Sequence, residues 1–261
     1  ESVALIGAST RLGTWGNRIA SGLIDKGYPG RLYFVNPAAK ELFGYPCYSS
    51  LDEVPGDVQL AILTIPAEGL WEALESCARK GIRCAVVISS GFGESSDEGR
   101  RKEQELADFA RKRNIRIVGP NVSGVYNLHA GFYATGGNAY QLKCSGMSFI
   151  CQGGFAVHNV VTRAYAKGIG IGKFIQTGNE MDLQCVDFLE LLGRDPETNA
   201  ILLYIEGIKD PRRFIELSRR IGSVKPIIVY KGGRSLAGNR AAASHTGAMA
   251  GNIEMYEGLF K

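Results

Sequence analysis

VALIGASTRLGTWGNRIASGL, residues 3–23, is the stretch whose reading decides the fold. It opens on a short apolar run, and from Asn17 onward its apolar residues recur at three- and four-residue spacing. Gly7, Ser9, Gly13 and Gly16 fall between the two patterns. A strand that turns on glycines straight into a helix frees backbone N–H groups at the helix N-terminus, and such a turn favours a phosphate or pyrophosphate. Working outward, strands are expected at 3–6, 32–35, 60–64, 85–88 and 116–118, with helices at 17–25, 70–80 and 100–113 between them. Short apolar runs alternating with helical patterns define parallel strands covered on both faces, so this part reads as a Rossmann-like, doubly wound α/β sheet.

The stretch 119–143, GPNVSGVYNLHAGFYATGGNAYQLK, sustains neither a period of 2 nor one of 3.6 and reads as a connection. Beyond it the alternation resumes, with strands at 147–150, 173–175, 201–205 and 227–230 and helices at 156–167, 183–192 and 211–221. The result is a smaller, flavodoxin-like α/β unit. Asp210 followed by Pro211 marks a helix start, an N-cap and then proline at the first helical position. The expected organisation is a first domain at 1–126, a connection at 127–143 and a second domain at 144–261. Glu1 stands where a methionine would open a complete chain, and residues 253–261 still read as amphipathic helix, so part of a longer protein is expected.

Composition excludes several classes. With 45% hydrophobic and 21% charged residues among 261, the chain can bury a sizeable core. A net charge of +4, with basic residues scattered, does not point to nucleic acid. No apolar run reaches the roughly 18 residues of a membrane span, and a cytoplasmic location is expected. The six cysteines form no C-x-x-C or C-x-x-H pair, so they read as small buried residues of a reducing compartment, and no metal site is expected.

Which phosphate-bearing ligand the first turn suits depends on the residues just after the second strand. A nicotinamide dinucleotide site usually has an Asp or Glu there for the ribose. This chain has FVNPAAKE, with Asn36 and Pro37 in that place, and a phosphate-bearing nucleotide other than NAD fits better. TIPAEG after the third strand and ISSGFGE after the fourth add Pro66 and Ser90, Gly91 and Phe92 to the same sheet edge, where ligands of open α/β sheets lie.

Three histidines occur. His129 in the connection and His158 on an expected helix suit surface or packing roles. His245 sits in SHTGAMAG, flanked by Ser244 and Thr246 with Gly247 behind, after an expected strand. Small neighbours leave its imidazole open to a large group from more than one direction. Glu206 closes the apolar strand ILLYIEG; from the residues alone it stands equally as a cap of the following turn.

SHTGAMAG closely resembles the phosphohistidine loop of the NDP-forming acyl-CoA synthetases, the superfamily of succinyl-CoA synthetase and ADP-forming acetyl-CoA synthetase. GASTRLGTWG, VNP, TIPAE, SSGFGE, GPNVSG, TGNE and YIEGIKDPRRF resemble that family too, in order, over nearly the whole chain. The resemblance implies a CoA-binding domain followed by a domain that carries phosphate on histidine. It places Gly7, Ser9, Gly13, Thr14, Trp15 and Gly16 around the coenzyme A phosphates and Asn36, Pro37 and Lys40 at its nucleotide end. Ile65, Pro66, Ser90, Gly91 and Phe92 would line its path. His245 would be the phosphate carrier, with Glu206 holding its other ring nitrogen. Gly153, Gly154 and Phe155, in ICQGGFAV before a helix, would offer N–H groups to the phosphate, together with Ser244, Thr246 and Gly247. The family pattern there is S-Q-S-G or S-R-S-G, and C-Q-G-G in this chain removes two hydroxyls while keeping the backbone donors. The family's Mg-ATP or ADP is bound by an ATP-grasp module, which no segment of this chain resembles. A partner subunit or domain of that kind, an oligomeric assembly, and a small carboxylic acid as co-substrate are therefore implied. Two other classes share part of the pattern: a catalytically silent CoA-sensing module of a larger protein such as a protein acetyltransferase, and a nicotinamide oxidoreductase.

Overall fold

The computed structural model describes residues 2–136 and 142–233, with 155–158 described in backbone alone. The first sheet is built on β1 (Ser2–Ile6), β2 (Arg31–Val35), β3 (Glu41–Leu42), β4 (Tyr45–Tyr48), β5 (Leu60–Leu63), β6 (Cys84–Val87) and β7 (Arg116–Val118), in the order β3-β4-β2-β1-β5-β6-β7. β1 is its centre, parallel to β2 and β5 in a register that sets Ile6 beside both Val35 and Leu63. Helices α1 (Trp15–Asp25), α2 (Leu70–Arg79) and α3 (Asp97–Lys112) cover it. Leu70, Leu74, Leu106 and Ala110 fill one face of the sheet, and Ile19, Ala20 and Leu23 fill the other.

Two helices on the first sheet begin earlier than their apolar spacing indicates, and their caps explain it. Thr14 accepts from the Asn17 amide at 3.3 Å, starting α1 at Trp15. Ser96 accepts from the Gly99 amide at 3.0 Å, and Asp97 and Glu98 then place negative charge in the first turn of α3. Caps act before the apolar stripe begins, so periodicity alone places the start late.

The second sheet comprises β8 (Gly124–Asn127), β9 (Phe132–Thr135), β10 (Met147–Cys151), β11 (Lys173–Gln176), β12 (Ala200–Ile205) and β13 (Ile227–Lys231), in the order β13-β12-β10-β11-β8-β9. Its four later strands are parallel and carry α4 (Gly154–Ala166), α5 (Cys185–Arg194) and α6 (Pro211–Gly222) between them. The Asp210 side chain accepts from the Arg213 amide at 3.0 Å and Pro211 opens α6, as expected.

The stretch 119–143 differs from its reading as an aperiodic connection. It contains the hairpin β8–β9, and β8 pairs antiparallel with β11. The other face of the hairpin packs on α1, where Ala134 joins the core of Ile19, Ala20 and Leu23. One short element thus serves both sheets. The contact is tight: a Cβ on Gly22 would lie 2.8 Å from the Tyr133 carbonyl oxygen and 2.9 Å from its ring. β3 and β4 were also not expected, because β3, at the sheet's edge, is two residues long and its neighbour β4 carries Pro46.

Gly22→Ala separates helix propensity from packing. Alanine gains about 0.5–1 kcal/mol in a helix interior. Against a backbone carbonyl that gain is reversed, and a net loss of about 1 kcal/mol or more is expected. Gly222→Ala, whose Cβ would meet nothing within 4 Å, serves as the control that is not destabilised by contact. Urea midpoints of the two variants check the difference.

Candidate functional site

The C-terminal ends of β1, β2, β5 and β6 converge, and their turns are tied to one another. Gly7 has φ +86°, and a Cβ on it would lie 2.7 Å from Thr64 Oγ1, so only glycine follows β1 at this height. A Cβ on Gly16 would lie 1.9 Å from the Gly7 carbonyl oxygen, which fixes α1 directly against the turn it follows. Asn36 donates from Nδ2 to the Ala8 carbonyl at 2.8 Å and accepts from the Ala38 amide at 2.9 Å. The asparagine that stands in place of a ribose-binding acid therefore braces the first turn. Thr64 donates to the Ile6 carbonyl at 2.9 Å, and Ser89 donates to the Ile65 carbonyl.

The sequence-assigned residues fall into two groups here. Gly13, Trp15, Pro37, Lys40, Pro66, Ser90 and Gly91 are exposed around the mouth of these turns, with Ser9, Thr14, Asn36 and Ile65 partly exposed. Phe92 is only 3% exposed and supports its turn from beneath within the core. The Gly91 and Phe92 amides donate to Glu94, at 2.5 Å and 3.2 Å to Oε1.

Glu94 was not singled out by sequence, and it joins the two sheets. It accepts from Asn179 Nδ2 at 2.6 Å, and the same nitrogen donates to Glu103 Oε2 at 2.8 Å. Burial works against the Glu94 charge, but the bonds from Asn179 and the turn amides hold its carboxyl below the usual range. Asn179 belongs to TGNE, the loop after β11. The loop is stitched to the end of the first sheet by Asn179 N to Pro120 O and Met181 N to Gly119 O, both 3.1 Å. Its Glu180 has φ +57° and is 2% exposed. Oε1 accepts from Thr177 Oγ1 and the Cys185 amide, both at 2.9 Å, while Oε2 has no partner among the described residues. Burial pushes its pKa up despite those bonds and the nearby Lys209.

The second group of assigned residues lies at the ends of β10 and β12. Gly153 caps α4 in an extended conformation, and Gly154 opens the helix. Phe155 follows in its first turn. Gln152 is buried and clamps the end of β12: it accepts at Oε1 from the Glu206 and Gly207 amides at 2.5 and 3.0 Å and donates to the Gly207 carbonyl at 2.7 Å. Glu206 is 6% exposed, and its Oε2 has no partner among the described residues. A Cβ on Gly153 would lie 2.5 Å from Glu206 Oε1. The carboxylate therefore occupies the space a serine side chain at 153 would take, against the positive end of α4. Structure here sets side by side two features that the sequence tied only through His245, the C-Q-G-G departure and Glu206. Burial, then the Glu206 charge, pushes the Tyr204 hydroxyl well up.

Lys231 was likewise missed. It is buried at the end of β13 and donates from Nζ to the carbonyls of Glu206 at 2.8 Å and Gly232 at 2.5 Å. Burial lowers its pKa, opposed by Glu206. The chain after β13 thus starts out tied to the Glu206 turn. Ser244, His245, Thr246 and Gly247 lie outside the described residues. His129 contacts the Ser145 carbonyl at 3.2 Å, in keeping with a packing role. Among the described residues no group of His, Cys, Asp or Glu is arranged to hold a metal ion, and no helix is long and apolar enough to cross a membrane.

Residues 1–127 match the family described as a CoA binding domain, and residues 144–261 match the succinyl-CoA ligase like flavodoxin domain. The alpha subunit of the ADP-forming acetate–CoA ligase II of Pyrococcus furiosus is 42% identical over 100% of this chain and 56% of its own length. The ADP-forming 4-hydroxybutyrate–CoA ligase of Nitrosopumilus maritimus is 35% identical over 100% of this chain and 38% of its own. The solved acetyl-coenzyme A synthetase 1 of Ca. Korarchaeum cryptofilum, in complex with phosphate and ADP, superimposes with a TM-score of 0.93 at 36% identity. That match covers 99% of this chain and 56% of the other. The chain belongs to the NDP-forming acyl-CoA synthetase family. It spans little more than half, or less, of the relatives it matches.

Glu180 generates a test of its own. Its folded pKa is raised above the ordinary 4.5, so above that pH the folded state keeps a proton that the unfolded state has lost. Stability from this group therefore falls as pH rises through the folded pKa. Glu180→Gln removes that dependence, and its unfolding free energy relative to the parent protein is expected to rise from pH 4.5 to pH 8 in urea titrations.

Proposed function

We propose that this chain is the CoA-binding and phosphate-carrying part of an NDP-forming acyl-CoA synthetase, which converts an acid, CoA and NTP to acyl-CoA, NDP and phosphate. The observation that carries the reading is Glu206, buried at the N-terminus of α4 with one oxygen unpartnered among the described residues, at a turn that Lys231 joins to the strand leading to His245. Near pH 7 a neutral imidazole is nucleophilic and still releases phosphate. One nitrogen of His245 takes the phosphoryl group from the nucleotide while Glu206 accepts a hydrogen bond from the other N–H. The phosphoryl group then passes to the carboxylate of the acid. The thiolate of CoA attacks the resulting acyl phosphate at its carbonyl carbon, the C–O bond to phosphate breaks, and phosphate leaves.

Within this reading Gly7, Ser9 and Gly13 to Gly16 cradle the CoA phosphates. Asn36, Pro37 and Lys40 lie at its nucleotide end, and Ile65, Pro66, Ser90 and Gly91 line its path, with Phe92 supporting the turn from the core. Gly153, Gly154, Phe155, Ser244, Thr246 and Gly247 surround the phosphate. N–H groups at the start of α4 stabilise its charge. The CoA-binding part is 1–126 and the phosphohistidine part 144–261, joined by 127–143. An ATP-grasp partner binds Mg-ATP or ADP, in an oligomeric assembly. All six cysteines are free, which supports a cytoplasmic location. The relatives are named as ligases, which favours this reading over the silent CoA-sensing module.

Two measurements test it. Incubation of the full-length protein and its nucleotide-binding partner with Mg-ATP is expected to put an acid-labile phosphate on His245, seen by mass spectrometry and lost in His245→Ala. Calorimetric titration is expected to show CoA binding at least tenfold tighter than NAD; the reverse order would return the nicotinamide reading.

A further inference from the structure

We propose that Gln152 is a positioning residue for the phosphoryl transfer: its side-chain amide holds the Glu206 turn beside the start of α4, so that the Glu206 carboxylate meets His245 in one orientation. The inference rests on the acyl-CoA synthetase reading and adds to it a residue that acts through Glu206.

Where the sheet stops is the first argument. The ladder between β10 and β12 ends with Cys151 beside Tyr204, and the Gln152 amide makes one further bond to the Tyr204 carbonyl at 3.1 Å. The Gln152 side chain then takes over at the next two residues. Its Oε1 accepts from the Glu206 and Gly207 amides at 2.5 and 3.0 Å, and its Nε2 donates to the Gly207 carbonyl at 2.7 Å. A carboxamide carries the acceptor and the donor of a peptide group. This one therefore continues the sheet past the point where the backbone of β10 leaves it for α4. From the other side the Glu206 carbonyl accepts from Lys231 Nζ at 2.8 Å, and the Gly232 amide donates to the Ile205 carbonyl at 2.8 Å. The backbone of Glu206 is fixed at both its N–H and its carbonyl.

What is left open is the second argument. Both polar atoms of the Gln152 side chain are engaged, with Nε2 also 4.0 Å from Cys185 Sγ, whereas Glu206 Oε2 has no partner among the described residues. The two side chains are almost equally buried, at 7% and 6% exposed. A saturated amide beside an acid with an open oxygen separates two tasks, holding and receiving. Gln152 also immediately precedes Gly153, the N-cap of α4, so one residue ties the acid to the helix start that faces the phosphate. A shift of the turn by about 1 Å would move the carboxylate off the ring nitrogen it holds, and a misplacement of that size costs about a hundredfold in rate.

The test uses the full-length protein with its nucleotide-binding partner and follows the phosphate gained by His245 from Mg-ATP in a single turnover, over hours where a variant is slow. Gln152→Met keeps the length of the side chain without its amide. It is expected to slow phosphorylation about tenfold or more, with CoA affinity by calorimetry within about twofold of the parent. In a Glu206→Ala background the same substitution is expected to slow phosphorylation by less than about twofold further, because no carboxylate remains to be positioned. A role confined to stability would give the same fold loss in both backgrounds. Where Gln152→Met does not bind CoA, Gln152→Glu, which keeps the acceptor oxygen and loses the donor, takes its place with the same two expectations. A parental rate in the Gln152 variant, or an equal fold loss in both backgrounds, would overturn the positioning role and leave the enzyme reading standing. Absence of phosphate on His245 in the parent protein overturns the enzyme reading itself, and the positioning role with it.

Discussion

The packing of α1 against the β8–β9 hairpin is the contact on which the rest of the architecture depends. α1 begins at the glycine turn after β1, so whatever holds α1 also holds that turn. The hairpin is held in its own place by β11, the strand that leads into TGNE. Gly22 lets helix and hairpin meet at backbone distance, and Gly16 does the same between helix and turn. The mouth of the first sheet and the loops of the second are therefore positioned by one continuous chain of close contacts.

A second set of constraints is electrostatic. Glu94, Asn179 and Glu103 connect the turn after β6 with the loop after β11, and Lys209 ties that loop to the turn after β12. Buried charges of this kind are costly unless each is matched by donors, and removing one partner leaves the other exposed to the full penalty. Glu180 and Glu206 depart from that rule, each keeping one oxygen without a partner among the described residues. They lie at the ends of neighbouring segments, where ligands of open α/β sheets approach. Incomplete satisfaction of buried acids is what a site retains for a group that arrives later.

Much of this was legible in the residues. The alternation of short apolar runs with helical spacing located the parallel strands and the helices, because burial on both faces of a parallel sheet leaves a continuous apolar signal. Asp210 and Pro211 announced their helix through local chemistry alone. The hairpins did not announce themselves. β3 is two residues long, β4 holds a proline, and β8 and β9 lie in a glycine-rich stretch where period 2 has too few residues to be seen. Neither Glu94 nor Lys231 stood out either, since an acid in a turn and a lysine at a strand end are ordinary until their partners are known.

The sequence by itself determined the parallel strands and the helices, their order and the family, because strand, glycine turn, cap and helix are properties of neighbours along the chain. It also marked Glu206 and the C-Q-G-G turn, each by its own implied role toward His245 and with no contact between them. Only the tertiary structure decided that the two belong together, by setting the Glu206 carboxylate in the space that a side chain at Gly153 would fill. It alone decided that the connection is a hairpin shared by both sheets, and that Asn179 bridges two acids of the first. Those outcomes turn on distances between residues tens of positions apart, which are set by packing and by where buried charges find donors, and no local pattern encodes them.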